Sequence, residues 1–186
     1  MFQQTIQDVL ALTEASGRAE DVLETLRVRI SAFESFERAE LLARTQAGLR
    51  RFPAGEGLGE AGPKAMDALG DEPTLRIDTS ADMKSRGISS EPGLTSLLVL
   101  RIGAPHSGPA AIVLSHSRAW SFAGAPLSRI RTIGQVALRL LLSEGSAAAA
   151  ADEVARVQTE VARLRTQIAS LEQEIAGLRS ERGRKR

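Results

Sequence analysis

Ser115-His116-Ser117 sets hydroxyls on both sides of an imidazole, the ingredients of nucleophilic catalysis. The surrounding residues predict a strand, however, and neighbours on a strand point to opposite faces, which separates the ring from both hydroxyls. His106 and His116, the only histidines, stand at either end of the apolar AAIVL run. A zinc site needs more ligands than that pair offers, so both read as loop or strand-end residues. Gly57-Leu58-Gly59-Glu60-Ala61-Gly62 fits the G-x-G-x-x-G pattern of a pyrophosphate cradle. That cradle requires a strand before it and a long helix after it. Pro63 and the short segment that follows argue against both, and Glu60 would repel phosphate, so a glycine loop is predicted. Arg101, His106 and Trp120 would form a cationic and aromatic rim if the fold brought them together; the preferred reading makes Trp120 and Phe122 packing anchors between the last strand and the closing helix. The chain has no cysteine, asparagine or tyrosine. Disulfides, thiolate metal sites and thiol catalysis are thereby excluded. No acid, base, nucleophile or metal ligands form a constellation, so the expectation is a non-enzyme without catalytic residues, metal or cofactor.

These residues need elements to position them. Residues 3–12 carry Ile6, Val9, Leu10 and Leu12 at helical spacing, and Glu20 to Phe33 carry Val22, Leu23, Leu26, Ile30 and Phe33, with Val28 off the stripe. AELLART, then Gln46-Ala47-Gly48, then LRRF up to Pro53 reads as a hairpin. PAGEGLGEAGP is a loop, Lys64 to Leu69 one or two helical turns, and TLRID (74–78) a third strand. Thr79 to Gly93 holds few apolar residues and is expected to be an irregular connection. TSLLVLRI (95–102) and AAIVLSHS (110–117), joined by GAPHSGP, form the clearest hairpin; their near-continuous apolar character suits the centre of a sheet covered on both faces. A helix closes the globular part from about Pro126 to Leu142.

Beyond Ser143-Glu144-Gly145-Ser146 and the alanines of 147–151, apolar residues recur at alternating steps of three and four. Val154, Val161, Ile168 and Ile175 occupy a; Val157, Leu164, Leu171 and Leu178 occupy d. β-branched residues at a with mostly leucine at d favour a parallel two-stranded coiled coil. In that arrangement Glu160 faces Arg165 and Glu174 faces Arg179 across the seam, while Gln167 meets Glu172 without repulsion. The exposed pairs select register and the apolar seam supplies affinity. The competing reading, one amphipathic helix lying on its own domain, usually needs a wider stripe.

Hydrophobic content of 42% with a net charge of +1 describes a globular chain with no general attraction to polyanions. The start lacks a basic n-region and no run reaches membrane-spanning length, so cytoplasmic residence is expected. Arg179 to Arg186 holds five basic residues and one acid. Weak polyanion contact, helix-dipole compensation and plain solubility all account for such a tail, and without interleaved aromatics nucleic acid is not an expected partner.

The order of elements resembles the GAF domain over roughly residues 3–142. DVLETLRVRISAFESFERAELL is similar to its entry helix and first strand, EPTLRIDTSADMKS to the third strand and ligand-side loop, GLTSLLVLRI to the fourth strand, and AAIVLSHSRAWSFAGAPLSRIRTIGQVAL to the fifth strand, an anchoring Phe122 and the last helix. The resemblance implies an α+β fold, a GAF/PAS-like central antiparallel sheet of five to six strands flanked by helices, followed by the coiled coil. Its domains would be 1–144 (helical preface 1–34, sheet and loops 35–125, closing helix 126–142), an alanine-rich linker 145–151, the coil 152–179 and the basic tail 180–186. It also places Asp78, Asp82 and Glu91 in the region that closes over ligands, where they could contact a small polar molecule; the turn-rich composition of the segment favours solvated loop carboxylates instead. Without cysteine, neither a covalent bilin nor the thiol chemistry of GAF-type methionine sulfoxide reductases is possible, and the cyclic-nucleotide signature is absent. The expected function is a non-enzymatic sensory or regulatory module, held as a parallel homodimer, relaying a small ligand or protein contact to an unidentified protein partner. The alternative is an adaptor whose GAF-like domain is a ligand-free docking surface.

Overall fold

The computed structural model describes residues 2–15, 18–88, 92–103, 108–143, 155–163, 166–167 and 169–170. Helix α1 (Phe2–Glu14) and helix α2 (Ala19–Ser31) open the chain. In α2, Val22, Leu26 and Ile30 fall at four-residue intervals and all are buried. Glu20 and Asp21 sit in its first turn and Arg29 in its last, complementing the helix dipole. Strands β1 (Arg38–Thr45) and β2 (Gly48–Ala54) form the expected hairpin, with Gly48 at a φ of 115° at the turn. Helix α3 (Ala61–Leu69), strand β3 (Thr74–Ile77), helix α4 (Ser80–Ser85), strands β4 (Ser96–Ile102) and β5 (Ala110–His116) and helix α5 (Leu127–Ser143) complete the domain.

The five strands form one antiparallel sheet in the order β2-β1-β5-β4-β3. β5 is central, which explains its unbroken burial: with helices on both faces there is no wet side for polar residues. Ala39, Leu41, Ile112, Leu114, Leu98 and Leu100 face α1, α2 and α5. The alternate residues Leu42, Val113, Leu97, Val99, Leu75 and Ile77 face α3 and α4. On the first face Gly134 lets α5 lie close to the sheet, since a Cβ there would stand 3.2–3.3 Å from three atoms of Ile112.

Three local expectations are corrected. The Thr79–Gly93 connection is not wholly irregular: the Thr79 hydroxyl accepts from the Asp82 N–H at 3.2 Å and caps α4, and Met83 alone anchors that helix. One buried residue in six leaves no periodicity to read. α3 begins at Ala61, so the last glycine of the G-x-G-x-x-G stretch is helical and not in a loop. Gly62 is small for another reason: a Cβ would come within 2.6 Å of Glu40 Oε2. Trp120 is no packing anchor; it is 61% exposed, whereas Phe122 is buried as expected.

Three helices meet at one ion pair. Arg129 of α5 donates to Asp8 of α1 at 2.8 Å, the carboxylate buried and the arginine side chain 11% exposed, and its guanidinium lies 3.9 Å from the Phe33 ring centroid just beyond α2. Removing one partner strands the other charge. Asp8→Ala is expected to cost about 3–5 kcal/mol in urea unfolding, whereas the apolar pair Asp8→Leu with Arg129→Met stays within about 1 kcal/mol of wild type. A single-variant loss as small as the double's would show that the pair is not desolvated.

Candidate functional site

The polar side chains that converge do so where β3 ends, β4 begins and β5 ends. His116 closes β5 and is buried. The segment after α2 brings Ser35 to its Nε2 at 3.4 Å and Glu37 to its Nδ1 at 3.4 Å. Hydroxyl, imidazole and carboxylate in that sequence have the connectivity of a catalytic triad. The proton positions tell against the chemistry. The Arg118 N–H donates to Nδ1 at 3.1 Å, so in neutral His116 the proton resides on Nε2 and points at the Ser35 hydroxyl. An imidazole in that tautomer cannot take the serine's proton. The same bonds fix the loop after β5: Ser96 donates to the Arg118 carbonyl at 2.7 Å, Ser121 donates to it at 2.9 Å, and the Ser117 N–H and hydroxyl both donate to Glu37.

The loop's geometry accounts for Trp120. Its N–H donates to the Asp78 carbonyl at 3.1 Å, and Phe122 must dive into the core two residues later. The chain makes that reversal with Trp120 at a φ of 60°, the one non-glycine in the left-handed region among the described residues. Such a conformation costs about 1–2 kcal/mol, and here it leaves a large aromatic surface in solvent. Asp78 is buried beneath the loop; its Oδ2 accepts from Arg76 at 3.2 Å and its Oδ1 has no hydrogen-bond partner.

The four described ligand-contact candidates, Asp78, Asp82, Arg101 and Trp120, do not form one site. Asp78 and Trp120 meet through backbone, and Asp82 is nearby but exposed, its carboxylate accepting from the Thr79 hydroxyl at 2.8 Å. Asp78 departs from the solvated-carboxylate reading, being buried at a strand end. Arg101 lies toward the other end of the β3–β4 ladder, where it donates to the carbonyls of Glu72 and Gly70. Glu91 and His106 lie outside the described residues. Sequence reasoning missed Ser35, Glu37 and Ser96 because their roles depend on strand pairing with partners 81, 80 and 22 positions away, for which local spacing carries no signal. Among the described residues no group of three or more metal-ligating side chains occurs, and no helix is long and apolar enough to cross a membrane.

A second concavity lies at the far edge of the helical face. A groove of about 420 Å³ runs between α1, α5 and the 155–163 helix, lined by Ile6, Val9, Val136, Val157 and Val161 with Thr5, Gln135 and Glu160 at its margin. Val157 and Val161 are 5% and 6% exposed and belong to the same apolar cluster as α1, α5 and the sheet. Of the other proposed coil residues, Glu160 is exposed, and Val154, Leu164, Arg165, Ile168, Leu171, Glu174, Ile175, Leu178 and Arg179 lie outside the described residues.

No protein-family model matches this chain, and no curated protein matches it in sequence. Solved structures match it in shape. The GAF domain of a phosphoenolpyruvate-protein phosphotransferase from Acinetobacter aligns with a TM-score of 0.54 at 12% identity, over 79% of this chain and 98% of that one. The type II free methionine-R-sulfoxide reductase from Thermoplasma acidophilum gives 0.48 at 12% identity over 72% and 96%. The Stigmatella aurantiaca phytochrome photosensory core module gives 0.48 at 12% over 77% of this chain and 36% of that one. The likeness to the Acinetobacter domain is one of fold: the chain has a GAF-like fold, as the order of its elements suggested.

Glu37 supplies a test of the polar cluster. The Ser117 hydroxyl first, with the Ser117 N–H and Arg38, holds its carboxyl below the usual glutamate range against desolvation. A carboxyl lowered by folding contributes stability above its unfolded value, and that contribution disappears as pH falls through the folded one. Stability curves of wild type and Glu37→Gln, separated at neutral pH, should draw together below about pH 4. Parallel curves down to acid unfolding would mean that these bonds do not favour the ionised form.

Proposed function

We propose that this GAF-like domain is a non-enzymatic regulatory module, dimerised through its C-terminal coiled coil, that relays binding at the globular domain to a protein partner. The observation supporting the relay is the continuity of one apolar cluster. It runs from Leu98, Ile112 and Leu114 on the sheet, through Ile133, Val136 and Leu140 of α5, to Val157 and Val161 at the start of the heptads. A load that tilts α5 shifts the surface on which Val157 and Val161 rest, and so changes how readily they leave it for the seam, because close-packed side chains transmit displacement.

The absence of catalysis in this reading is supported by the histidine tautomer: the hydroxyl nearest His116 faces a protonated nitrogen. The chain also lacks the thiol that reductase chemistry on this fold would require.

The adaptor reading is favoured by one feature of the other sheet face. Leu42, Leu58, Ile77, Met83, Ile88 and Leu97, each no more than 1% exposed, fill the layer between the sheet and α3 and α4. A layer packed with apolar side chains suits a protein that presents its surface better than one that encloses a polar ligand there.

Native mass spectrometry of the full-length chain, purified gently from its own cells, separates these readings. A dimer is expected. A dimer with a reproducible small added mass selects the ligand-relaying module, a bare dimer selects the adaptor, and a monomer at every concentration would overturn both.

A further inference from the structure

Residues 155–163 form a helix of which seven residues are exposed and two, Val157 and Val161, are buried. They occupy positions d and a of the heptad pattern, so the stripe that would face a second chain faces Ile6, Val9 and Val136 of its own domain instead. One side chain cannot be buried on two surfaces. We infer that the α1/α5 face is a docking surface for residues 155–163 of the same chain, and that docking there and zipping into the coiled coil are mutually exclusive. This rests on the dimeric reading of the coil given above.

The contact has the character of a reversible one. Leu98, Ile112 and Leu114 at the centre of the sheet are 0% exposed, whereas Val157 and Val161 are 5% and 6% exposed, are the only side chains residues 155–163 bury, and leave a groove of about 420 Å³ beside them. A docked helix held by two valines opens far more readily than the sheet core. The competing seam offers eight apolar positions per chain, but only when a second chain is present. Concentration therefore decides between the states: dilute chains keep the helix docked, and association draws Val157 and Val161 into the seam. Anything that covers Ile6, Val9 and Val136 releases the helix and promotes pairing. The domain thus caps the start of its own dimerisation element.

The absence of native cysteine makes the test clean. Thr5→Cys with Glu160→Cys places a thiol on each side of the groove, where a short bismaleimide joins them within one chain when the helix is docked. Separately, Ile175→Cys reports seam pairing as an interchain disulfide. Across a dilution series on the full chain, the intrachain product should fall as the Ile175 disulfide rises, with a common midpoint. An intrachain yield that stays constant while the Ile175 disulfide goes from absent to complete would overturn exclusivity and leave the dimer standing. So would an Ile175 disulfide at all concentrations with no intrachain product. If the Ile175 disulfide never forms, the dimeric reading itself fails.

Discussion

Arg129 is the residue on which the arrangement of the helical layer depends. Its guanidinium donates to Asp8 of α1 and to Gln4 Oε1 at 3.3 Å and lies on the Phe33 ring, so α1, the segment after α2 and α5 share one largely desolvated cation. A buried ion pair is a poor source of net stability, because desolvating both charges offsets most of their attraction. What it supplies is geometry. Apolar faces of α1 and α5 would pack in several offsets at similar free energy, while a guanidinium with its acceptor fixed tolerates one.

The rest of the helical layer is built around that fixed point. Two residues on, Arg131 donates to the carbonyls of Arg101 and Pro73 and to the Thr74 hydroxyl, each at 3.1 Å, tying α5 to the β3 edge of the sheet. One turn further, Gly134 brings the helix backbone down onto Ile112. A glycine inside a helix costs about 1 kcal/mol against alanine, and close seating on the central strand offsets it. On the opposite face the same logic holds at Glu40, which is 1% exposed yet accepts two bonds from Arg51 and one from the Leu58 N–H. Gly62 is the residue that leaves room for that carboxylate.

What was legible in the sequence follows from these physics. Periodicity located α1, α2, α5 and the β4–β5 hairpin because each buries a face, and burial writes itself into spacing. The order of those elements was enough to suggest the GAF-like fold. α4 was not legible, since its stability lies in the Thr79 cap and the single anchor Met83. The polar cluster was legible only in part: Asp78 and His116 drew notice by type, but Ser35 and Glu37 reach His116 through the β1–β5 register, a long-range fact. Trp120 was misjudged as a possible anchor because an aromatic in an apolar context is ordinarily buried; a left-handed backbone forced by its neighbours turned it outward.

The coil shows the same limit from the other side. A strict a/d stripe identifies a surface that must be covered without saying by what, and the sequence argument assumed that a narrow stripe belongs to a second chain. In the structure, the first two described seam residues are covered by the domain's own α1 and α5. α5 is held directionally near its start, by Arg129 and Arg131, whereas Val136 and Leu140 seat its later turns against α1 and Val157 through contacts that have no preferred direction. The segment resting on those later turns is the one whose valines would have two possible surfaces under the proposed exclusivity. In the proposed relay, a change at the sheet therefore reaches the coil through the apolar contacts of Val136 and Leu140.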